Sequence, residues 1–256
     1  MTHDILFETV NLSKHFGALA AVDDVSLQIR RNTLHAIIGP NGAGKTTFFN
    51  LLSGNLKPTS GKVFYDGTDI TGQPIHRMIH LGIGRSFQIT NVFPNLTVFE
   101  NIRLASQAME KGNYRFFVDA SNLKKCEARA MEVAAKVGLQ EKLLTPARML
   151  PHGDQRKLEL GMILAPDPAV LLLDEPTAGM AAEQVPELIS LIRDVQADGN
   201  KTVVLVEHNM NVVMSISDTI TVMNLGKKLA EGTPEEITKN KEVQTAYLGG
   251  LYELEF

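Results

Sequence analysis

Cysteine and long apolar runs are scarce in this chain, and each of these two scarcities excludes a class of protein. The 256 residues include one cysteine and no tryptophan. The single thiol, Cys126, cannot form a disulfide within the chain, so we expect no disulfide framework and a reducing compartment. Nowhere do about 18 apolar residues follow one another, and the sequence therefore predicts no membrane-spanning helix.

A marked excess of one charge is lacking too. Lysine and arginine total 25 against 29 acidic residues, a net charge of −4, whereas dedicated nucleic-acid binders usually carry a basic face. The first ten residues hold no basic segment followed by an apolar run, so a secretory signal is not expected. The 44% of hydrophobic residues suffices for a sizeable core in one large or two modest domains.

What the chain does contain is an alternation of strand and helix patterns. The predicted strands are 5–12, 25–29, 34–38, 169–174 and 202–207, and the predicted helices are 46–53, 121–138, 154–165 and one that begins near 185. Cys126 falls on the apolar stripe of the second helix and is expected to be buried. This alternation predicts an α/β fold with a mostly parallel sheet, into which a helix-rich subdomain of about 75–165 is inserted.

A glycine-rich segment follows the first buried strand. Residues 39–47, GPNGAGKTT, match the pattern G-x-x-x-x-G-K-[ST] between a strand and a helix. Gly42 and Gly44 permit backbone dihedrals that let successive N–H groups converge on phosphate oxygens, and the N-terminus of the following helix adds to that field. Lys45 suits the β- and γ-phosphates, and the Thr46 hydroxyl suits Mg²⁺. The segment predicts a nucleotide-phosphate site.

A second set of polar residues stands at the ends of later buried strands. The segment AVLLLDEPTAG ends its apolar run at Asp174, whose carboxylate is expected at the carboxyl edge of the sheet, where ligands bind in open α/β folds. Asp174 suits the Mg²⁺ shell, and Glu175 suits the polarisation of a water that attacks the γ-phosphate. His208 follows the TVVLVE run and can reach the same phosphate. No metal-ligand spacing joins Cys126 and the other histidines, so no zinc site is predicted.

Together these motifs resemble the ATP-binding subunits of ABC transporters over nearly the whole chain. The resemblance implies the ABC ATPase fold, with an N-terminal antiparallel β subdomain beside the P-loop NTPase core, and ATP and Mg²⁺ as ligands. It implies that Phe16 stacks on adenine and that catalysis uses Gln88, Glu175 and His208. The implied ATP contacts are Phe16, Gly39, Asn41, Gly42, Ala43, Gly44, Lys45, Thr46 and Thr47, and the implied Mg²⁺ contacts are Thr46, Gln88 and Asp174.

The signature loop of that family, Leu-Ser-Gly-Gly-Gln, closes over the ATP of the opposite subunit and is altered here. The corresponding residues are Leu150, Pro151, His152, Gly153 and Asp154. Pro151 offers neither a hydroxyl nor an N–H, whereas Gly153 keeps its amide. We expect Asp154 to cap a helix that begins near it, because a carboxylate aimed at phosphate would repel it. Ala181 is a second departure, at a position where relatives direct a polar residue at the partner subunit.

Longer stretches resemble the branched-chain amino acid subgroup, which includes urea and amide importers. These stretches are residues 77–102, 206–237 and 243–249. The implied partners are a second ABC ATPase subunit, the same or related, transmembrane permeases and, indirectly, an extracytoplasmic solute-binding protein, with no nucleic acid. The implied location is peripheral, on the cytoplasmic face of the inner membrane. The chain is expected to form a single domain, 1–256, with a C-terminal extension from about 230.

Several alternatives stay open at this point. A lipopolysaccharide-type export ATPase shares the same motifs, and so does a regulatory nucleotide-binding partner with weak hydrolysis, which the changes at Pro151 and Ala181 would suit. A non-transport ATPase that acts on nucleic acid is less compatible, because no sustained heptads and only one ATP module occur. The apolar segment near 88–100 either docks on permeases or packs locally. The solute, the direction of transport and the identity of the dimer partner are undetermined.

Overall fold

The computed structural model describes residues 4–86, 92–107, 120–198 and 201–248 of the chain. Its strands are β1 (Ile5–Phe16), β2 (Leu19–Arg30), β3 (Leu34–Ile38), β4 (Ser60–Tyr65), β5 (Thr68–Asp69), β6 (Ile83–Arg85), β7 (Val170–Asp174), β8 (Thr202–Val206), β9 (Thr219–Asn224) and β10 (Lys227–Gly232). Its α-helices are α1 (Lys45–Leu52), α2 (Ile75–His80), α3 (Val98–Ser106), α4 (Ala120–Lys136), α5 (His152–Leu164), α6 (Val185–Asp198), α7 (Met210–Ile216), α8 (Pro234–Lys239) and α9 (Lys241–Leu248). None of the helices within these ranges is long and apolar enough to cross a membrane.

The smaller sheet is antiparallel, with the order β2-β1-β4-β5. Its first two strands form a long hairpin that joins Phe16 to Leu19 as Cα partners. In β2, Val25, Leu27 and Ile29 alternate with exposed residues, so one face of the sheet packs on the core. The predicted strands 5–12 and 25–29 are therefore parts of longer strands, and the expected N-terminal antiparallel sheet is confirmed.

The larger sheet follows the order β10-β9-β3-β8-β7-β6. Strands β9, β3, β8, β7 and β6 pair in parallel, and β10 pairs antiparallel with β9. Every residue of β3, β7 and β8 is buried, as the unbroken apolar runs predict for strands covered on both faces. The prediction of 34–38 is confirmed, while β7 begins one residue later and β8 ends one residue earlier than predicted.

Two apolar layers flank the larger sheet because successive side chains of each strand point to opposite faces. Leu171 and Leu173 pack with residues of α3 to α6, including the predicted stripe of α4, on which Cys126 is buried. Val170 and Leu172 pack on the other face with α1 and the smaller sheet. Truncating a fully buried aromatic residue such as Phe48 to alanine would cost about 3–5 kcal/mol. The larger sheet is thereby packed against apolar residues on both faces.

Candidate nucleotide-binding site

The glycine-rich segment forms the loop between β3 and α1, as predicted. Gly44 has φ +94°, and a Cβ placed on it would lie 2.2 Å from the carbonyl oxygen of Ala21. Gly42 has φ +79° with open space around it, so its backbone conformation rather than crowding favours glycine. The loop is braced from the β9–β10 turn, where the Gly226 N–H donates to the Ala43 carbonyl at 3.1 Å. Its backbone is thus fixed in place by its neighbours.

The side chain of Lys45 lies against its own loop. Its ammonium donates hydrogen bonds to the carbonyl oxygens of Gly39, at 2.6 Å, and Pro40, at 3.1 Å. Burial lowers the pKa of Lys45, and the negative charges of Glu175 and Asp174 oppose that shift. The lysine is therefore a buried cation at the mouth of the loop, within the electrostatic reach of both carboxylates.

Sheet register brings the strand-end residues together. Asp174 pairs with Val206 across β7 and β8, and Ile37 pairs with the same Val206 across β3 and β8. Three parallel strands thus end at one level. The phosphate loop begins two residues after Ile37, and Glu175 follows Asp174 directly, so segments more than a hundred residues apart in sequence share one edge of the sheet.

Asp174 is almost fully buried, with 2% of its surface exposed. Its N–H donates to the Ser86 hydroxyl at 2.9 Å, and its Oδ2 lies 3.9 Å from a guanidinium nitrogen of Arg85. Burial raises the pKa of Asp174, and the Arg85 charge partly opposes that rise. The other oxygen, Oδ1, is buried and meets no hydrogen-bond donor among the described residues. A buried oxygen without a donor is suited to a cation such as Mg²⁺, which prefers oxygen ligands.

Glu175 and His208 approach each other from neighbouring strand ends. The Nδ1 atom of His208 lies 3.7 Å from Oε1 of Glu175. Glu175 has φ +47°, a region that non-glycine residues rarely adopt, and its N–H donates to the Val206 carbonyl at 2.9 Å. Such a fixed backbone directs the carboxylate out of the sheet edge.

An open cleft of about 630 Å³ lies over the phosphate loop. The predicted ATP contacts that line it are Asn41, Gly42, Ala43, Gly44, Lys45, Thr46 and Thr47, and Glu175 lines it as well. Phe16 does not belong to this lining; the residue is 48% exposed, and the Lys14 ammonium lies 5.2 Å from the centroid of its ring. Its Cα partner Leu19 does line the cleft. Phe16 therefore stands at the margin of the cleft.

Some residues of the cleft were not found from the sequence. Ala20 and Ala21 of β2 and Leu225 of the β9–β10 turn complete its wall. Leu225 is 81% exposed, which is unusual for a leucine. No local motif marks these residues, because they reach the loop only through the pairing of distant strands. Gln88, which was predicted to contact Mg²⁺, lies outside the described residues.

The signature loop lies at the start of α5. The helix begins at His152, two residues before the predicted start, and Pro151 occupies its N-cap position without any side-chain cap. Leu150 is buried, and its carbonyl accepts a hydrogen bond from the Gln155 side chain at 2.9 Å. A Cβ on Gly153 would lie 2.9 Å from the side-chain oxygen of Gln184. The loop does not contribute to the described lining of the cleft.

The prediction that Asp154 caps its helix is wrong. Its carboxylate pairs instead with Lys142 and, at 3.7 Å, with the ammonium of Lys157. Because the helix starts earlier than predicted, Asp154 lies inside the first turn, where a carboxylate still interacts favourably with the helix dipole. Lys157 also pairs with Glu187 at 2.5 Å, so Lys142 is the main counter-charge of Asp154, and the carboxylate is not an uncompensated anion aimed at a phosphate.

Two family profiles match this chain, one over the residues of the site and one near the C-terminus. A family profile described as ABC transporter matches residues 22–178, which include the phosphate loop and the strand-end carboxylates. A profile described as Branched-chain amino acid ATP-binding cassette transporter matches residues 227–252. The chain is also 40% identical over 243 residues to LivG of Salmonella typhimurium, a high-affinity branched-chain amino acid transport ATP-binding protein. That alignment covers 93% of this chain and 95% of LivG.

Solved structures that are similar to this fold are also ATP-binding cassettes. The fold is similar to a nucleotide-free ATP-binding cassette from an ABC transporter, with a TM-score of 0.84 and 26% identity over 95% of this chain and 98% of the other. It is also similar to a dimeric ATP-binding cassette in a post-hydrolysis state bound to ADP and Pi, with a TM-score of 0.76 and 25% identity. That second likeness covers 90% of this chain and 99% of the other.

Proposed function

Because this chain belongs to the ABC transporter family, we propose that its ATP hydrolysis powers the import of branched-chain or closely related amino acids. The chain is an ATP-binding ATPase subunit of that family. In the proposed assembly it lies on the cytoplasmic face of the membrane and drives permease subunits that form the path. An extracytoplasmic binding protein would supply the solute to those permeases.

Two likenesses, one over nearly the whole chain and one over its C-terminal part, support the choice of solute. LivG, which is similar over nearly the full length, is named for branched-chain amino acid transport. The short C-terminal profile, over residues 227–252, carries the same solute in its description. The solute never touches this subunit, so these likenesses support the proposal indirectly, through the permeases with which such a subunit pairs.

In the proposed ATP complex, Lys45 exchanges its carbonyl partners for phosphate oxygens. The ammonium lies on Gly39 and Pro40, close to the loop amides that would hold the same phosphates. Exchange of neutral carbonyl oxygens for charged phosphate oxygens strengthens each hydrogen bond. The mainly apolar edge formed by Leu19 and Leu225, with Phe16 at its margin, would receive the purine.

The donor set fits Mg²⁺. The buried Oδ1 of Asp174 lacks a donor among the described residues, and Thr46 contributes an exposed hydroxyl beside Lys45. We assign Gln88 as a further contact, although it falls outside the described part of the chain. When bound, Mg²⁺ neutralises phosphate charge. Asp174 would hold the ion, and the positive charge would also favour the ionised carboxylate against the effect of burial.

Glu175 is the proposed general base for the attacking water. It lies at the cleft and extends from a backbone that is fixed at φ +47°. His208, at 3.7 Å, would orient that carboxylate and contact the γ-phosphate. Proton abstraction by a positioned carboxylate contributes about a hundredfold or more to such reactions.

Each active site would be completed by the signature loop of a partner subunit. A like cassette forms a dimer, and in this chain Leu150–Asp154 are the residues proposed to face the partner's ATP. Ion pairing of Asp154 with Lys142 and, at a longer distance, with Lys157 would reduce the repulsion that its charge otherwise exerts. Gly153 retains its N–H for phosphate, whereas Pro151 contributes no donor.

A largely apolar groove is the proposed permease contact. It encloses about 320 Å³ between α2, β6 and α5, with Met78, Ile79, Phe93, Met162 and Ile163 in its lining. Phe93, in the segment for which permease docking and local packing were both left open, is 52% exposed. An apolar cytoplasmic segment of a permease would gain about 25 cal/mol for each Å² that it buries there.

The observation that carries the catalytic proposal is the common level at which β3, β8 and β7 end, with Lys45 within the electrostatic reach of Asp174 and Glu175. The test compares wild type, Glu175→Gln and the exposed control Glu127→Gln in ATP hydrolysis, ATP binding and dimer formation. Glu175→Gln should bind ATP and accumulate as a dimer while hydrolysis falls about a hundredfold. Hydrolysis by Glu175→Gln at the wild-type rate would refute the assignment of Glu175.

The transport proposal needs a separate measurement. Vesicles containing this subunit and its co-purifying permeases should accumulate labelled leucine when ATP and a binding protein are supplied, and the Glu175→Gln complex should not. Extraction of a lipid from the membrane without leucine uptake would instead support an export ATPase. Equal leucine uptake with and without ATP would contradict the proposal.

A further inference from the structure

Glu207 is a buried carboxylate at the edge of the larger sheet where β3, β8 and β7 end. No role has been assigned to it in the site described above. It directly follows β8 and has no exposed surface. Its Oε1 accepts hydrogen bonds from the Thr177 N–H, at 3.1 Å, and the Thr177 hydroxyl, at 2.5 Å. Its Oε2 accepts from the N–H groups of His208, at 3.1 Å, and Asn209, at 3.4 Å.

These four donors are neutral, so the carboxylate is stabilised by oriented dipoles. Both oxygens act only as acceptors, which suits the ionised form. Removing such a group from water carries a large cost unless its hydrogen bonds are satisfied. Such a buried network fixes the positions of its donors, because a donor that moves away leaves part of the carboxylate charge without a hydrogen bond.

The donors belong to two different strand-end loops. Thr177 lies two residues after Glu175, in a turn where the Ala178 N–H donates to the Glu175 carbonyl at 3.0 Å. His208 and Asn209 belong to the loop after β8 and to the N-cap of α7. Glu207 therefore joins the loop that carries Glu175 to the loop that carries His208.

The loop after β7 is tied from its other side to the helical subdomain. Arg156 of α5 donates to the Ala178 carbonyl at 3.0 Å. The same short turn thus contacts the helix that follows the signature loop and, through Thr177, the buried carboxylate. A displacement of that turn would shift the backbone of Glu175, whose carbonyl belongs to the same turn.

We propose that Glu207 is a positioning residue for ATP hydrolysis, which fixes the distance between Glu175 and His208 by binding the backbones of both loops. This inference rests on the catalytic roles proposed above for those two residues. Glu207 does not touch nucleotide or water in this proposal. It acts because misplacing a reacting group by about 1 Å can cost about a hundredfold in rate.

The principal test is Glu207→Gln in the full chain. Glutamine keeps the size of the side chain but offers one acceptor oxygen and an NH₂ donor, so at least one N–H donor loses its acceptor. We expect kcat for ATP hydrolysis to fall about tenfold to a hundredfold while the Kd for ATP stays within about threefold of wild type. A loss of ATP binding that matches the loss of kcat would overturn the proposal.

A second pair of variants keeps the test decisive if Glu207→Gln does not fold. Thr177→Val removes the hydroxyl that donates to Oε1, whereas Thr177→Ser retains it. Thr177→Val should lower kcat, whereas Thr177→Ser should have a kcat near that of wild type. Equal rates in these two variants would contradict a role for the contact.

Thr221→Val is the matched structural control. It removes a buried hydroxyl from a hydrogen bond of 2.8 Å to His35, on β9 and β3, which belong to neither loop. Thr221→Val should lower the melting temperature without a comparable loss of kcat. If Thr221→Val and Glu207→Gln have the same melting temperature and lose the same factor in kcat, the proposal is overturned. Glu175→Gln is measured beside it: if that variant is inactive while Glu207→Gln keeps the wild-type rate, only the positioning role fails. If Glu175→Gln is fully active, both proposals fail.

Discussion

The ammonium of Lys45 lies 2.6 Å from the carbonyl oxygen of Gly39, the first residue of its own loop. The lysine is buried, with 8% exposure, and its charge is held by backbone dipoles and by the negative potential of two carboxylates. A cation held in this way is already near the position where phosphate oxygens would arrive, so little rearrangement is required.

Replacement of Lys45 by alanine should therefore weaken ATP binding. The loss of charge-assisted hydrogen bonds to phosphate is expected to raise the Kd about tenfold to a hundredfold. The measurement is an equilibrium titration with a fluorescent ATP analogue. Lys239→Ala, which alters an ammonium that is 79% exposed on α8, is the control and should bind normally. Wild-type affinity in Lys45→Ala would contradict the assignment.

His35 should make the protein less stable in mild acid. Its ring is buried in β3, Nε2 lies 2.8 Å from the Thr221 hydroxyl, and burial lowers the pKa of His35 to about 4, with a smaller contribution from Lys228. The unfolded chain, with a pKa of about 6.5, binds the proton first. Stability is therefore complete above about pH 6.5 and falls as the pH drops toward 4, by about 2 kcal/mol between pH 7.5 and pH 5.

Urea unfolding at those two pH values tests this expectation. His35→Gln, which can keep a hydrogen bond to Thr221 but cannot titrate, should lose about 2 kcal/mol less than wild type on acidification. His76→Gln, at an exposed position of α2, should follow the wild-type profile. The idea fails if His35→Gln loses as much stability as wild type.

Pro151→Ser should raise ATP hydrolysis and should be more stable than Pro151→Ala. Pro151 is the N-cap of α5, with φ −55° and ψ 154° and no side-chain cap. A serine there can accept from the Asp154 N–H and is expected to stabilise the helix by about 1 kcal/mol relative to Pro151→Ala. In a dimer the same hydroxyl can donate to phosphate, so ATP hydrolysis should also rise. Thermal melts and steady-state rates measure the two effects, and equal rates for the serine and alanine variants would show that the amides suffice.

Asn101→Ala should disorganise the segment proposed to contact the permease. Asn101 is fully buried in α3; its amide donates to the Phe93, Leu96 and Thr97 carbonyls and accepts from the Phe93 N–H at 2.8 Å. Removing this side chain leaves buried groups unsatisfied and should cost about 2–4 kcal/mol in urea unfolding. Co-purification with permeases should weaken as well. Asn95→Ala, at an exposed position of the same segment, is the control; equal stability of the two variants would contradict the prediction.

Local patterns predicted the elements that surround the nucleotide. The run at 34–38 is short, nearly unbroken in its apolar residues and followed by a glycine-rich turn, a combination that favours a covered strand. The start of α5 was predicted less well. A carboxylate near a helix start usually indicates a cap, but here Lys142, twelve residues upstream, binds Asp154, and no local pattern could reveal that contact.

The sequence by itself determined the phosphate loop and the strand-end carboxylates, since glycine, lysine and acidic residues at those spacings follow from local backbone geometry and charge. The tertiary structure decided how they meet. Parallel register placed Asp174 beside Val206 and level with Ile37 on the next strand, and strand pairing brought Leu19 and Leu225 to the same cleft. It also buried Glu207 between two loops. These relationships depend on hydrogen bonding and packing between segments far apart in the chain, for which a local pattern carries no signal.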